Sequence, residues 1–265
     1  MNLYKSPRWI QYVLMGVLCC FALVPLGFVL VRALENTVLF RQGDLLAWAE
    51  QYLSLAQFEQ TMFHDLAFWC GYGNTLLLTI PTILLIMLTS TLAAYGMISA
   101  RRRKNRGLLL FYVLLSLLPA QVLLVPNFIA LSWLEMIGSR WSVILASSFS
   151  PYYTYFMYRF ASQIPEEQLE SARLEGAGDW KIYRRIVMPQ LKSAVLALLL
   201  IGAADFWSMV EQPLALLQDP AMYPLSVMFR DLEAGMVHAG SILFSMPVLL
   251  VFLCCGKEMA EGLSR

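Results

Sequence analysis

Charged residues are scarce in this chain of 265 residues, at 14%, whereas hydrophobic residues make up 59% and the mean hydropathy is +0.62. A soluble domain carries about 25% charged residues, so the composition excludes an ordinary soluble protein. The 19 basic and 18 acidic residues leave a net charge of +1, which provides no field for attracting nucleic acid. A chain this apolar also does not stay solvated as a disordered one. The composition therefore predicts a protein of the lipid bilayer.

Patterns for catalysis and metal binding are also missing. No G-x-x-x-x-G-K-[ST] run for nucleotide binding and no His-Glu-x-x-His run occurs. The few cysteines and histidines show neither metal-ligand spacing nor a disulfide framework: Cys19, Cys20, Cys70, Cys254, Cys255, His64 and His238. We therefore expect no catalytic residue, no metal site and no cofactor held by this chain.

Six long apolar stretches are present. Each reaches or approaches the roughly 20 residues that a helix needs to cross ~30 Å of hydrocarbon, where the backbone must satisfy its own hydrogen bonds. We expect membrane-spanning helices within residues 9–31, 72–98, 107–134, 141–158, 193–210 and 239–256. Lys5 and Arg8 precede the first stretch as in a signal peptide, but no small-x-small cleavage site follows, so we interpret it as a span.

The basic residues are distributed unevenly between the loops. With six spans both termini share one side, and that side carries 15 Lys and Arg residues against four on the other. The positive-inside rule then places both termini in the cytoplasm. We divide the chain into residues 1–71, a membrane core of residues 72–257 and a cytoplasmic tail of residues 258–265. Residues 1–71 comprise the first helix and an acidic external loop, residues 32–70, which shows no strong helical or strand period.

A polar connection of roughly thirty residues, 161–192, joins the fourth and fifth spans and is longer than most such connections. Pro165 suits the first turn of a helix, and Gly176 suits its C-terminal cap. A second helix follows, with an apolar stripe at Trp180, Tyr183 and Val187 before Pro189 ends the pattern. Small residues also favour close approach by another chain: Ser171, Ala172, Gly176 and Ala177. The physical pattern fits a docking element and, equally, an amphipathic connection on lipid headgroups.

The same loop resembles the EAA signature of bacterial ABC-importer permeases, E-A-A-x-x-x-G followed after about nine residues by I-x-L-P. The matching residues are Glu170-Ser171-Ala172, Gly176 and Ile186-Val187-Met188-Pro189, in which Ser171 and Met188 are conservative departures. Glu175, an acid directly before the glycine, is similar to the carbohydrate-uptake branch. Polyamine-type permeases more often place the acid one residue earlier, where this chain has Leu174.

The resemblance extends over about residues 70–246. Asn74-Thr75 is similar to the Asn-Ser of maltose-type permeases. Similar patterns in the third and fifth spans are Pro119 and Pro126 with Gln121 and Val122 between them, and Phe206-Trp207 followed by Pro213-Leu214. Ser208 departs from the family, which commonly has Asn at that position.

This resemblance implies an all-α integral membrane protein with six transmembrane helices and the type I importer permease fold, in a bacterial inner membrane. Such permeases pair with a second homologous permease, sit on an ABC ATPase dimer that binds ATP and Mg, and receive solute from an extracytoplasmic solute-binding protein. Their EAA loop is the coupling helix, which carries the closure of the ATPases into the spans. By resemblance, the ATPase-coupling residues are Glu170, Ser171, Ala172, Glu175, Gly176, Ala177 and Pro189.

Asp205 is the only acidic residue within a predicted span, about 20 Å along the helix axis from Lys192. Ionisable groups at such depth face a cavity or a partner, because exposure to lipid is costly. A carboxylate suits sugar hydroxyls and Trp207 suits a sugar ring, so both are candidate substrate-pathway residues. The alternatives for Asp205 are an external headgroup or a polar residue of the other permease.

Three further segments carry expectations. Four tyrosines near the inner end of the fourth span are expected to form an aromatic belt rather than a sugar-stacking surface: Tyr152, Tyr153, Tyr155 and Tyr158. The basic run at residues 101–104 is expected to be a topology anchor that also attracts anionic lipid. Residues 211–238 contain three prolines and are expected to form an irregular loop, which by resemblance faces the solute-binding protein.

Two alternatives to a sugar importer follow from the sequence. The same machine carrying a polyamine or a phosphorylated compound is the first, and Glu175 argues against it. An ion-coupled carrier or channel is the second, and it needs an intramembrane charge relay or an inverted repeat. The spans contain a single carboxylate and no convincing repeat, so the importer is the preferred interpretation.

Overall fold

The structure is a computed structural model that describes residues 8–34, 54–99, 106–230, 232 and 234–263, and those residues contain helices and no strand. The α-helices, numbered here in chain order, are α1 Arg8–Leu34, α2 Ala56–Glu59, α3 Leu66–Ser99, α4 Arg106–Ser116, α5 Ala120–Trp133, α6 Arg140–Ser147, α7 Pro151–Ala161, α8 Glu166–Leu174, α9 Asp179–Gln190, α10 Lys192–Trp207, α11 Glu211–Leu216, α12 Leu225–Met228 and α13 Ala234–Leu263. The basic run at residues 101–104 lies outside the described residues.

Three of these helices are long and apolar enough to cross a membrane, over Tyr12–Leu34, Leu66–Ser99 and Met236–Gly256. They correspond to the first, second and sixth predicted spans. Two bent helix pairs, α4 with α5 and α9 with α10, raise the number of candidate spans to five if each pair is one span. The all-helical membrane architecture is therefore confirmed, and the count of six spans stays a prediction.

The third and fourth predicted spans are not continuous helices, so that part of the prediction was wrong. Pro119 precedes α5, and Pro151 is the first residue of α7. Proline has no N–H and its ring clashes with the carbonyl four residues earlier, so it kinks or breaks a helix, and at these two positions the preceding helix ends before it. Accordingly α4 ends at Ser116 and α6 ends at Ser147.

Threonines of α3 supply donors to carbonyls at the ends of two neighbouring helices, α6 and α10. The Thr89 hydroxyl donates to the Ser148 carbonyl at 2.9 Å, where α6 ends. The Thr79 hydroxyl donates to the Phe206 carbonyl at 3.0 Å, in the last turn of α10. Unpaired carbonyls are costly where water is excluded, so polar residues in this apolar helix make the breaks in its neighbours tolerable.

The chain divides into two compact units, residues 1–69 with 229–246 and residues 70–228 with 247–265. In the first unit, the Gln57 side chain donates to the Arg32 carbonyl at 2.9 Å, and the Ser54 amide donates to the Leu34 carbonyl at 2.8 Å. The described part of the external loop is thus helical and folds back onto the end of α1. The loop's acidic residues Glu35, Asp44 and Glu50 lie outside the described residues.

The second unit contains two apolar clusters. The larger one joins α3, α7, α8, α9 and α10, and small buried side chains at Ala94, Ala161 and Ala194 let these helices approach closely. The smaller one joins α3, α5, α6 and α11 around Leu78 and Val143. The larger cluster includes buried residues of the loop 161–192 and so fixes this loop against α3, α7 and α10.

The described residues after α10 form several short helical elements, so the expectation of an irregular loop over residues 211–238 was wrong for them. It contains α11, a 3-10 turn at Pro220–Met222, α12 and the start of α13. Asn74 organises it, because the amide nitrogen donates to the carbonyls of Ala221 and Tyr223 at 2.8 and 3.1 Å. The Asn74 amide oxygen accepts a hydrogen bond from Arg140 at 2.9 Å. The Asn74-Thr75 pair is thus a bracket for the following segment, since the Leu225 amide donates to the Thr75 hydroxyl at 2.9 Å.

Candidate functional site

The loop 161–192 folds into a helical hairpin of α8 and α9. Pro165 precedes α8 and the glutamates Glu166 and Glu167 occupy its first turn, where negative charge complements the helix dipole. The turn after α8 is a Schellman motif, in which the Gly176 amide donates to the Arg173 carbonyl at 3.0 Å and the Ala177 amide donates to the Ala172 carbonyl at 2.9 Å. Gly176 has a φ of +80°, the left-handed conformation that the motif requires.

The residues of the EAA signature divide between two faces of this hairpin. Ala172 and Ala177 pack against the larger apolar cluster. The exposed members are Glu170, Ser171, Glu175, Gly176 and Pro189. Several residues border an open groove of about 490 Å³ between α8 and α9: Glu167, Gln168, Ser171, Ala172, Glu175 and Ile186. The hairpin therefore presents small and acidic residues outward and anchors itself through its alanines.

Two apolar side chains of the hairpin are exposed. Leu174 is 90% exposed at the end of α8, and Trp180 is 63% exposed at the start of α9. Of the three residues of the predicted apolar stripe, Tyr183 and Val187 are buried and Trp180 is exposed. A π turn spans Tyr183–Val187, and Ile182, directly before it, is buried as well. The side chains of Leu174 and Trp180 therefore form part of the exposed surface of the hairpin.

Asp205 lies near the end of α10, in the wall of a cavity of about 690 Å³. The Tyr153 hydroxyl donates to Asp205 Oδ2 at 3.2 Å. Gly202 makes room for this contact, since a β-carbon there would lie 3.3 Å from the Tyr153 hydroxyl oxygen. Tyr153 is 3% exposed, so the belt that was expected from the tyrosine cluster is wrong for this residue. The spacing of the tyrosines did not predict that Tyr153 is hydrogen-bonded to Asp205.

The rest of the cavity wall mixes polar, aromatic and aliphatic side chains. Glu211 accepts a hydrogen bond from the Gln121 side chain at 3.0 Å, and Gln212 accepts one from Ser147. Other polar and aromatic lining residues are Asn127, Phe149, Tyr152, Phe206 and Ser208. Asp205 and Glu211 are the charged residues of this lining, and no described lysine or arginine contributes to it. Sequence reasoning missed Glu211, Gln212 and Asn127, because their convergence depends on the helix breaks.

Trp207 does not line this cavity. It is 6% exposed and its ring makes an edge contact with Tyr72, at a centroid distance of 5.5 Å. The structure therefore separates the two residues that the sequence placed together on a substrate pathway. Asp205 lines the cavity, and Trp207 is not among the described residues of the lining.

Metal ligands do not cluster in the described part of the chain. No group of three or more His, Cys, Asp or Glu side chains there is arranged to hold a metal ion. Cys19, Cys20, Cys70, Cys254 and Cys255 are all free thiols.

Two curated proteins are similar to this chain over nearly its whole length. The arabinooligosaccharides transport system permease protein AraQ of Halalkalibacterium halodurans is 21% identical over 263 residues, which cover 97% of this chain and 94% of that protein. The lactose transport system permease protein LacG of Rhizobium radiobacter is 21% identical over 265 residues, 98% and 96% of the two chains.

A solved structure shares the fold. A chain in the crystal structure of a bacterial ABC transporter involved in the import of the acidic polysaccharide alginate superposes with a TM-score of 0.79 at 20% identity, covering 97% of this chain and 99% of that one. The resemblance to ABC-importer permeases of the carbohydrate-uptake branch is therefore confirmed. Residues 86–255, more than half of the sequence, match a protein family, and this chain accordingly belongs to the binding-protein-dependent transport system inner membrane components.

Proposed function

We propose that this chain is the transmembrane permease subunit of an ATP-driven, binding-protein-dependent importer for a sugar or oligosaccharide. Family membership supports the importer role, and the sugar-transport names of the relatives support the solute class. The observation that carries the proposal is the α8–α9 hairpin, which combines the EAA signature with a closed Schellman turn and an exposed tip at Leu174. The chain itself catalyses no reaction in this scheme.

The hairpin is proposed as the coupling element. In this scheme a cleft of one ATPase receives α8, and Glu170, Ser171 and Glu175 face that partner because they are exposed. Leu174 is proposed as an apolar contact, since a partner that covers this 90% exposed side chain removes apolar surface from water. Ala172 and Ala177 hold the hairpin to the permease core, and Pro189 precedes the 73° bend into α10.

The partners follow from this role. We propose a second permease subunit, an ABC ATPase dimer that binds ATP and Mg, and an extracytoplasmic solute-binding protein, with no nucleic acid. Six membrane passes with both termini in the cytoplasm, an N-terminal region of residues 1–71, a core of residues 72–257 and a tail of residues 258–265 complete the proposal. The inner membrane is the location that the family description gives.

The cavity beside Asp205 is proposed as this subunit's part of the solute pathway. A carboxylate held by Tyr153 accepts hydrogen bonds from sugar hydroxyls, and the exposed rings of Tyr152 and Phe149 offer faces for sugar C–H groups. Since the lining carries Asp205 and Glu211 and no described basic residue, an anionic solute is disfavoured at this wall.

A polyamine is the second candidate solute. Two carboxylates in one cavity suit a cation, which is the observation in its favour. A phosphorylated compound is disfavoured, because the same two carboxylates repel its negative charge. The sugar remains preferred, because the relatives with nearly full coverage are sugar permeases and Glu175 has the carbohydrate-branch position.

Purification of the tagged chain from its native membranes in mild detergent tests the proposal, with co-purifying proteins identified by mass spectrometry. We expect an ATPase and a second, different permease in amounts comparable with the tagged chain. An equally abundant unrelated membrane protein with the same tag is the control. A chain that purifies alone and transports solute in liposomes without ATP contradicts the proposal and supports the ion-coupled carrier instead.

A further inference from the structure

Two polar pairs join α3 to α9. Thr91 and Tyr95 lie one turn apart on α3, and Asp179 and Tyr183 lie one turn apart on α9, so each pair shares one helix face. The Tyr95 hydroxyl donates to Asp179 Oδ1 at 2.8 Å. The hydroxyls of Thr91 and Tyr183 are hydrogen-bonded at 2.8 Å. Because the earlier residue of one helix pairs with the later residue of the other, the helices are antiparallel here and both bonds specify one register.

Most of these groups are inaccessible to water. Thr91, Tyr183 and Tyr95 are 2%, 5% and 8% exposed, and the two tyrosine rings lie 5.6 Å apart. A slip of α9 along α3 would leave buried hydroxyls unsatisfied. The surrounding apolar contacts of Ile182 and Val187 are non-directional and do not resist such a slip in the same way. The register therefore depends on the hydroxyl bonds.

A further set of polar contacts connects the end of α8 to α3 and α9. Arg173 donates to the Ser99 hydroxyl, and its guanidinium lies 3.7 Å from Asp179 Oδ1. The side chains of Arg173 and Asp179 are 41% and 72% exposed, so this ion pair is screened by solvent. Among the polar contacts between the hairpin and the end of α3, the hydrogen bonds of the buried tyrosines are therefore the least screened.

The other part of α3 reaches the cavity. Its Thr79 hydroxyl donates to the carbonyl of Phe206, a cavity-lining residue next to Asp205, at 3.0 Å. Thr79 and Tyr95 are separated by about 24 Å along the helix. A single helix is therefore hydrogen-bonded to the α8–α9 hairpin near one end and to the cavity wall farther along.

We propose that Thr91, Tyr95, Asp179 and Tyr183 form a register clamp that makes the hairpin and α3 move as one body and so delivers hairpin motion to the cavity wall. The proposal rests on the coupling role of the hairpin. Tyr95 and Tyr183 are positioning residues, since they act through α3 and contact neither solute nor nucleotide. The contiguous contacts from Asp179 through α3 to Phe206 supply the physical route.

A thiol in the cavity wall reports this motion without knowledge of the solute. In a chain whose five cysteines are replaced by serine, Ser208→Cys provides the thiol, and the complex with its ATPase and partner permease is placed in nanodiscs that leave both faces open. The rate of maleimide labelling is measured with and without ATP plus vanadate. Tyr95→Phe, Tyr183→Phe and the double variant remove hydroxyls of the clamp, and Tyr155→Phe removes a hydroxyl outside it as the matched control.

We expect ATP plus vanadate to change the labelling rate in the reference and in Tyr155→Phe. In the double variant this change shrinks at least about fivefold, the factor that one lost hydrogen bond makes in an equilibrium, while ATP hydrolysis stays within about twofold of the reference. An unchanged labelling response in the double variant overturns the clamp. Loss of hydrolysis together with the response overturns it too, because that result indicates a structural role. A reference complex without an ATPase refutes the proposed function and the clamp with it.

Discussion

At the scale of single residues, Gly176 combines a φ of +80° with open space, since no atom lies within 4 Å of the position of a β-carbon. A substitution there is therefore penalised by backbone strain and not by a steric clash. Left-handed backbone costs an L-residue roughly 1–2 kcal/mol. The strain falls on the Schellman turn that sets the direction of α9 relative to α8.

We expect Gly176→Leu to reduce solute uptake by about five- to thirtyfold, because strain of this size shifts the hairpin away from its closed turn. Membrane insertion and chain abundance stay unchanged. Uptake into cells that express the variant in place of the natural chain is the measurement, with membrane abundance determined by immunoblot.

Gly178→Leu is the control for this prediction. Gly178 has a φ of −70° and also has no atom within 4 Å of a β-carbon, so leucine fits there without backbone strain. Wild-type uptake by Gly176→Leu, or equal losses in the two variants, would remove the coupling role of the turn.

Asp205 is the second residue whose chemistry is testable alone. Asp205→Asn keeps the size of the side chain and an oxygen that accepts the Tyr153 hydroxyl, and it removes the charge. We expect an altered uptake KM or altered selectivity, with the complex still assembled. Initial uptake rates over a panel of neutral, amino and uronic oligosaccharides measure the effect.

Glu135→Gln is the control for Asp205→Asn, since Glu135 is an exposed carboxylate that does not line the cavity. The same kinetics for every transported solute in Asp205→Asn would reduce Asp205 to a structural group. A relative gain for uronic solutes would support the exclusion of anions by the cavity wall.

At the scale of elements, the segment that contains α11, the 3-10 turn and α12 takes its conformation from α3. Asn74 alone satisfies the carbonyls of Ala221 and Tyr223 and also accepts from Arg140. The proline content of this segment predicted irregularity, and it missed the order that a distant asparagine imposes.

We expect Asn74→Ala to loosen residues 219–223, because two hydrogen bonds worth about 1 kcal/mol each are lost together. Amide hydrogen exchange of peptides from this segment would then accelerate about thirtyfold. Mass spectrometry of the purified chain in detergent measures the exchange. Asn127→Ala removes the same amide from the cavity wall and serves as the control, and equal exchange in the two variants would contradict the bracket.

At the scale of the whole molecule, the uneven distribution of Lys and Arg predicts orientation, and a bilayer is needed to test it. We expect green fluorescent protein fused after residue 265 to fluoresce and alkaline phosphatase fused there to be inactive, because both termini are predicted to be cytoplasmic. A fusion after Asp219 should behave in the opposite way. Phosphatase activity at the C-terminus would reverse the topology and place the hairpin on the wrong side for an ATPase.

Composition, hydropathy and the EAA spacing were sufficient to predict a helical membrane protein of the importer permease family and the turn at Gly176, because these depend on local chain preferences and on lipid as solvent. The helix breaks at Pro119 and Pro151 were also within reach of local rules, although the apolar runs hid them. The pairing of Tyr153 with Asp205, the burial of Trp207 and the contacts of Asn74 and Tyr95 were not. Each joins residues that are 52 to 149 positions apart in the sequence, and only the packing of the helices decides which of many polar and aromatic side chains meet.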